Sequence, residues 1–203
     1  MSLSAETTAS DGMPRCPWSI SAPELTSYHD AEWGFPVDQD QRLFEKLCLE
    51  SFQSGLSWRT ILNKREAFRA GFAGFDIAAV AQFGPADVEH LLTDAGIVRN
   101  RAKIEACINN AQRAEELSAQ EGSLATFLWR FEPAAEELAE PQTLTVSPAS
   151  GALAKELKRR GWKFFGPTTA FAFMQSMGML NDHVHDCILR EPVERARAEF
   201  HRP

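Results

Sequence analysis

Three observations predict an all-α fold for this chain of 203 residues. Apolar residues recur at three- and four-residue spacings along nearly its whole length. No two alternating segments are joined by a tight turn in the way paired strands require. The breaks between periodic stretches carry helix-ending or helix-starting residues, such as Gly84-Pro85 and Asp94-Ala95-Gly96. Hydrophobic residues make up 44% and charged residues 24%, a globular balance that excludes disordered and low-complexity classes.

The elements follow in order. Leu43, Phe44, Leu47 and Phe52 share one face of a helix over about 41–53. Ile61, Leu62, Phe68 and Phe72 predict a second, entered through Ser57. Ile77, Val80 and Ala81 form a third, with Asp76 as its N-cap. A fourth runs from about Pro85 through Val88, Leu91 and Leu92, with Gly96 as a natural C-cap. A long helix carries Ile104, Ile108 and Ala111, and a short one carries Leu124, Phe127 and Leu128. Residues 132–150, with three prolines, read as an irregular connection. Leu153 and Leu157 lie on a helix ending at Gly161; 168–179 is a richly apolar and central one. A last helical turn or two holds His183 and Cys187, giving eight or nine helices in all.

Residues 1–14 contain no Lys or Arg and no apolar run, so they are expected to be a flexible leader, neither a secretory signal nor a mitochondrial presequence. No stretch reaches the roughly 20 apolar residues of a membrane helix. A cytoplasmic, reducing location is therefore expected, in which the four cysteines stay unpaired.

Cys16, His29, His183 and Cys187 make a Cys2His2 set that suits a structural zinc. His183 and Cys187, at i and i+4, would share one helical face. Such a clasp would tie the N-terminal segment to the C-terminal one. The plainer alternative is that the thiols are small buried hydrophobes and the imidazoles cap helices. Cys48 and Cys107 stand at apolar helical positions and belong to the core.

Residues 91–111 read as a helix, a Gly-containing turn and a second helix starting near Asn100. A turn and helix N-terminus of this kind favour an anion. Arg99, Arg101 and Lys103 stand beside it, so the hairpin could grip a DNA phosphate without reading sequence. A plain helical turn with a solvated basic face is the alternative. Trp18, Tyr28, Trp33 and Trp58 fall early in the chain, around Glu50 near the end of an apolar helix. A buried carboxylate needs a partner, and flat aromatic rings could sandwich a flat cationic ligand beside it. The alternative has Glu50 salt-bridged on the surface and the tryptophans filling the core.

Several segments together resemble the DNA-3-methyladenine glycosylase I family. They are Arg15-Cys16-Pro17-Trp18, Tyr28-His29-Asp30-Ala31-Glu32-Trp33-Gly34, Leu43-Phe44-Glu45 to Leu49-Glu50, Gln53-Ser54-Gly55-Leu56-Ser57-Trp58, Asp94 to Arg99, Leu157 to Phe164, Phe173-Met174-Gln175, and Asn181-Asp182-His183 to Cys187. The similarity covers about residues 15–190. It implies a helix-hairpin-helix glycosylase fold, with a hairpin-containing region over about 40–130, a zinc-binding region from both termini, and a tail over 191–203. It implies one structural Zn2+ on Cys16, His29, His183 and Cys187. It implies a base pocket lined by Glu50, Tyr28 and Trp58, with Trp18 close by. Gln53, Gly55 and Leu56 would lie on the loop that approaches the gap left by an extruded base, and Gly96, Arg99 and Lys103 would meet the DNA backbone. Two departures stand out. Leu25 occupies the place of a frequent pocket aromatic, which would thin the stacking platform. Phe171 and Trp162 replace other aromatics and are expected only to adjust packing.

The activity so implied is excision of 3-methyladenine from alkylated double-stranded DNA by a monomer, with base flipping. Glu50 would hold the adenine edge and support catalysis. No lysine stands in a motif suited to a Schiff base, so no strand cleavage is expected. Rival readings are a zinc-stabilised lesion binder without catalysis and a small-molecule nucleoside hydrolase. The net charge of −7 argues against a polyanionic partner. The acids are concentrated, however. Residues 1–14 and 115–140 hold nine acids and one base; setting them aside from totals of 28 and 21 leaves 19 and 20. The acidic surface is thereby placed where DNA does not go.

Overall fold

A computed structural model describes residues 11–203. Ten α-helices make up the described chain: α1 (Pro23–Ala31), α2 (Asp40–Gln53), α3 (Trp58–Gly71), α4 (Ile77–Ala81), α5 (Pro85–Thr93), α6 (Arg101–Glu121), α7 (Leu124–Trp129), α8 (Pro148–Arg159), α9 (Pro167–Ser176) and α10 (Arg190–Glu199). There are short 3-10 turns at Pro17–Ser21, Ala73–Phe75 and Ala135–Glu137.

Local chemistry starts most helices. Ser57, Asp76, Asn100, Ser123 and Ser147 each accept the backbone N–H three residues on. Pro23, Pro85, Pro148 and Pro167 open α1, α5, α8 and α9, where their fixed φ costs nothing. The tertiary arrangement is centred on α2, which packs against α3, α6, α7 and α9. Leu43, Phe44, Leu47, Leu49 and Phe52 are all within 1% of full burial. Phe52, Phe68, Phe72 and Phe75 form a run of rings with centroids 4.6–6.2 Å apart that joins α2 to α3. Cys48 and Cys107 meet in this core with sulfurs 3.2 Å apart. A second, smaller cluster is built on Cys16, Tyr28, Trp33 and Cys187, with Trp18 and Trp58 against it.

Four expectations need correction. Helix α1, which carries Tyr28 and His29, is not announced by the sequence; it is short, and only Leu25, Tyr28 and His29 of its nine residues are buried. His183 and Cys187 lie in a turn, with the Cys187 N–H donated to the Val184 carbonyl, rather than on a helix. Residues 190–199 form α10 where a tail was expected; Val193 is fully buried and Arg197 pairs with Glu132. Asp94, not Gly96, caps α5, and Gly96 has no left-handed φ. Of the leader, residues 1–10 lie outside the described residues. Asp11 is ion-paired to Arg15 at 2.8 Å, and the Pro14 carbonyl accepts the Ile188 N–H.

Candidate functional site

The two ends of the described chain meet at Cys16, His29, His183 and Cys187, all buried, with their ligand atoms within 4.8 Å of one another. Sγ of Cys187 lies 3.4 Å from Nδ1 of His183 and 3.5 Å from Nε2 of His29; Sγ of Cys16 lies 3.6 Å from Nδ1 of His183. A four-coordinate cation with bonds of roughly 2.0–2.3 Å sets sulfur–nitrogen edges of about 3.5 Å, which these three sulfur–nitrogen separations match. The outer ring nitrogens are held as well: Nδ1 of His29 lies 2.8 Å from Asp30, and Nε2 of His183 lies 3.2 Å from the Trp33 carbonyl. Arg15 in turn holds Asp30. Contact between the two thiols raises the pKa of Cys16 and lowers that of Cys187. A divalent ion would deprotonate both. The four residues can therefore hold a metal ion.

Beside this clasp opens a cavity of about 380 Å³. Trp18, Tyr28 and Trp33 line one wall, Glu50, Gln53 and Lys46 from α2 another, and Trp58 closes it at the start of α3. The clasp shares this wall: the Trp18 and Trp33 rings lie 5.5 and 6.0 Å from His29, and Trp33 lies 4.6 Å from His183. Tyr28 and Trp58 meet at 5.2 Å. Burial raises the Tyr28 pKa well above its usual value, so its hydroxyl stays protonated. Trp58 Nε1 is buried without a hydrogen-bond partner.

Glu50 is buried at 6% exposure, as the pocket reading requires. Its partner is within the chain. Nζ of Lys46, one turn earlier on α2, lies 2.7 Å from the Glu50 carboxylate, donates to the Tyr28 hydroxyl at 2.8 Å, and sits 3.4 Å from the Trp58 ring centroid. Lys46 is not singled out by the sequence motifs. The available signal was the i, i+4 spacing to Glu50 within an apolar helix.

The far wall was also missed. Gln142, Leu144 and Thr145 reach the cavity from the proline-rich connection, and Thr168, Phe171 and Gln175 from α9. Asp182 fixes both: it accepts the Gln142 N–H at 2.9 Å and the Gln175 amide at 2.5 Å. Phe171 thus lines the site and does more than adjust packing, while Trp162 is a core ring against Phe44. Leu25 is buried and is not among the residues lining the cavity.

Gln53 ends α2 and borders the cavity; Gly55 follows with φ +81°, and Leu56 projects at 42% exposure. Only the φ demands glycine at 55, since nothing stands where a Cβ would go. Lys103 underpins this loop. Its ammonium donates to the carbonyls of Phe52 at 2.9 Å and Ser54 at 2.6 Å, closing the C-terminus of α2. Expected on the DNA side of the hairpin, Lys103 is instead buried at 9% exposure, and burial lowers its pKa.

The hairpin itself is α5, a turn over 94–100, and α6. Gly96 is needed for space: a Cβ there would lie 2.7 Å from that of Ala67. Its N–H is donated to Asp94, and its carbonyl and that of Ala95 accept from Lys64. Gly96 therefore shapes the turn and does not offer its own N–H to an anion. Arg99 is exposed and makes no ion pair among the described residues, whereas Arg101 is paired with Glu89.

A sequence model of the methyladenine glycosylase family matches residues 18–191. The chain belongs to that family. It is 44% identical over 179 residues to DNA-3-methyladenine glycosylase 1 of Escherichia coli (strain K12), spanning 86% of this chain and 96% of that one. It is 41% identical to DNA-3-methyladenine glycosylase of Haemophilus influenzae over 85% of this chain and 96% of that one. A crystal structure of a 3-methyladenine DNA glycosylase I superposes with TM-score 0.81 at 43% identity, covering 86% of this chain and 98% of the other. The Staphylococcus aureus 3-methyladenine DNA glycosylase I, solved to define 3-methyladenine recognition, superposes with TM-score 0.82 at 36% identity, covering 86% and 95%. No helix among the described residues of this methyladenine glycosylase is long and apolar enough to cross a membrane.

Proposed function

We propose that this chain excises 3-methyladenine from alkylated double-stranded DNA by hydrolysing the N-glycosidic bond, acting as a monomer in the cytoplasm. The observation that carries the reading is a cavity sized for a base, walled by Trp18, Tyr28 and Trp58 around a buried Glu50, in a chain matching its relatives along nearly their whole length. An adenine methylated at N3 in DNA is a delocalised cation, which makes it a good leaving group: it departs as a neutral base. The pocket then has to bind and orient the flipped base and exclude water from its ring. Tyr28 and Trp58 would stack on it, with Trp18 at the edge, and Glu50 would accept from the exocyclic amine. Water would capture the sugar cation.

In this reading α5 and α6 form the helix-hairpin-helix element of one glycosylase unit, and Arg99, without an ion pair among the described residues, would meet a phosphate. Leu56, carried on the Gln53–Gly55 loop, would fill the space vacated by the base. Lys103 would keep that loop in place. Lys46 lies one helical turn further from the loop than Glu50 and is committed to Glu50 and Tyr28, so hydrolysis without strand cleavage remains the proposal. The metal would be one structural Zn2+ on Cys16, His29, His183 and Cys187, for which two thiols and two imidazoles gathered within 4.8 Å are the fitting donors. It would hold the Trp18 and Trp33 wall and take no part in the reaction.

The test is to incubate the protein with duplex DNA treated with a methylating agent and to chromatograph the released bases. 3-Methyladenine should appear faster than by spontaneous loss. Release at the spontaneous rate would leave the lesion-binding alternative in its place.

A further inference from the structure

Two thiols lie outside both the clasp and the cavity. All four cysteines of the chain are free. Cys16 and Cys187 belong to the clasp, and the other two meet in the core. Cys48 on α2 and Cys107 on α6 are 1% and 3% exposed, and the Cys107 thiol donates to the Cys48 sulfur at 3.2 Å. Neither lines the cavity. Their contact is one rung of an antiparallel α2–α6 interface. The next rung, one turn on along α2 and one turn back along α6, joins Phe52 to Lys103, whose ammonium also holds the Ser54 carbonyl. Small apolar side chains would fill the first rung equally well; two thiols in contact add a chemistry that packing does not use.

We propose that Cys48 and Cys107 form a site of reversible oxidation, which hydrogen peroxide closes to a disulfide tying α2 to α6. One sulfur attacks the peroxide and the O–O bond breaks, leaving a sulfenic acid and one water. The second sulfur, already in contact, attacks the sulfenic sulfur; the S–S bond forms, the S–O bond breaks and a second water leaves. In sum, two thiols are oxidised and one hydrogen peroxide is reduced to two waters. The sulfurs have to approach by about 1.2 Å, within reach of side-chain rotation in two packed helices. Burial and the Cys107 contact hold the Cys48 pKa well above the usual thiol value, so closure waits on local opening and is slow. Because the partner thiol is adjacent, oxidation stops at the disulfide and does not run on to sulfinic acid. The bridge closes the chain from 48 to 107, which restricts the unfolded state and stabilises the folded one.

The experiment treats the zinc-supplemented protein with hydrogen peroxide, alkylates the remaining thiols in denaturant, and reads a proteolytic peptide map and the Tm. The map should show a peptide pair joined through Cys48 and Cys107. Tm should rise by roughly 4–16 °C and fall back on addition of dithiothreitol. Cys48→Ala and Cys107→Ala should each lose both the joined pair and the rise; two variants are made so that one folded protein suffices. Recovery of both thiols alkylated, their conversion to sulfinic acid, or a Cys16–Cys187 peptide as the sole product would overturn the site. A joined pair without a gain in Tm, or a gain that persists in the variants, would overturn the tie between α2 and α6.

Discussion

Replacing Glu50 by Gln should destabilise the protein as well as impair it. From the sequence alone, Glu50→Gln is expected to spare the fold. The structure predicts otherwise, because Glu50 and Lys46 are buried to 6% and 5% exposure and pair at 2.7 Å. Removing one member of a buried pair leaves the other charge uncompensated, at a cost of about 3–5 kcal/mol. The Tyr28 hydroxyl and the Trp58 ring remain to Lys46, and burial already lowers its pKa, so it can shed its proton; both effects place the cost at the lower end. For a chain of this size 1 kcal/mol moves Tm by roughly 2–4 °C, so a loss of about 6–12 °C is expected. The assay is thermal unfolding by circular dichroism at neutral pH. The double variant Lys46→Met/Glu50→Met should recover most or all of the loss, since apolar residues of similar volume often replace a buried pair without penalty. A Glu50→Gln protein melting within 2 °C of wild type would refute the pairing, as would a double variant no more stable than the single one.

Three further outcomes follow from the same contacts. Gly96→Ala forces a Cβ to 2.7 Å from that of Ala67 and should cost about 1–3 kcal/mol by chemical denaturation, with DNA affinity reduced; unchanged stability would show that α3 and the hairpin turn do not meet closely. Lys103→Met removes two donors from the end of α2 and should lower the excision rate more than it lowers affinity for free 3-methyladenine; equal losses in both would place Lys103 elsewhere in the mechanism. Elemental analysis should give about one zinc per chain, and a strong chelator should lower Tm and alter tryptophan fluorescence together, because Trp18 and Trp33 pack on His29; a metal-free protein of equal stability would remove the clasp.

Most of the fold is legible in the sequence because its helices announce themselves locally. Ser57, Asp76 and Asn100 are caps recognisable by type. What stays hidden is set by long-range contacts. Helix α1 is built from residues that pack both on the clasp and on the cavity, so its pattern is not amphipathic. His183 and Cys187 do converge, but through a turn stabilised by the rest of the clasp. Gln142, Leu144 and Thr145 carry no local sign of their place in the cavity, since Asp182 positions that segment from across the chain. Lys103 reads as one base among three in the hairpin, and only the fold shows it turned inward onto α2. The acidic segment is partly structural too: Glu121 and Glu132 hold Arg160, Arg130, Arg197 and Arg202.

The central claim is that this cavity carries out glycosylase chemistry on a methylated adenine and stops at the abasic site. A single-turnover reaction with a methylated duplex, protein in excess, tests it with two readings from one sample: released base by chromatography, and strand length on a denaturing gel before and after alkali. 3-Methyladenine release should run well above the spontaneous rate, with strands intact until alkali is added, and should fall at least tenfold in Trp58→Ala. Strand breaks without alkali, or release that does not depend on the protein, would contradict it.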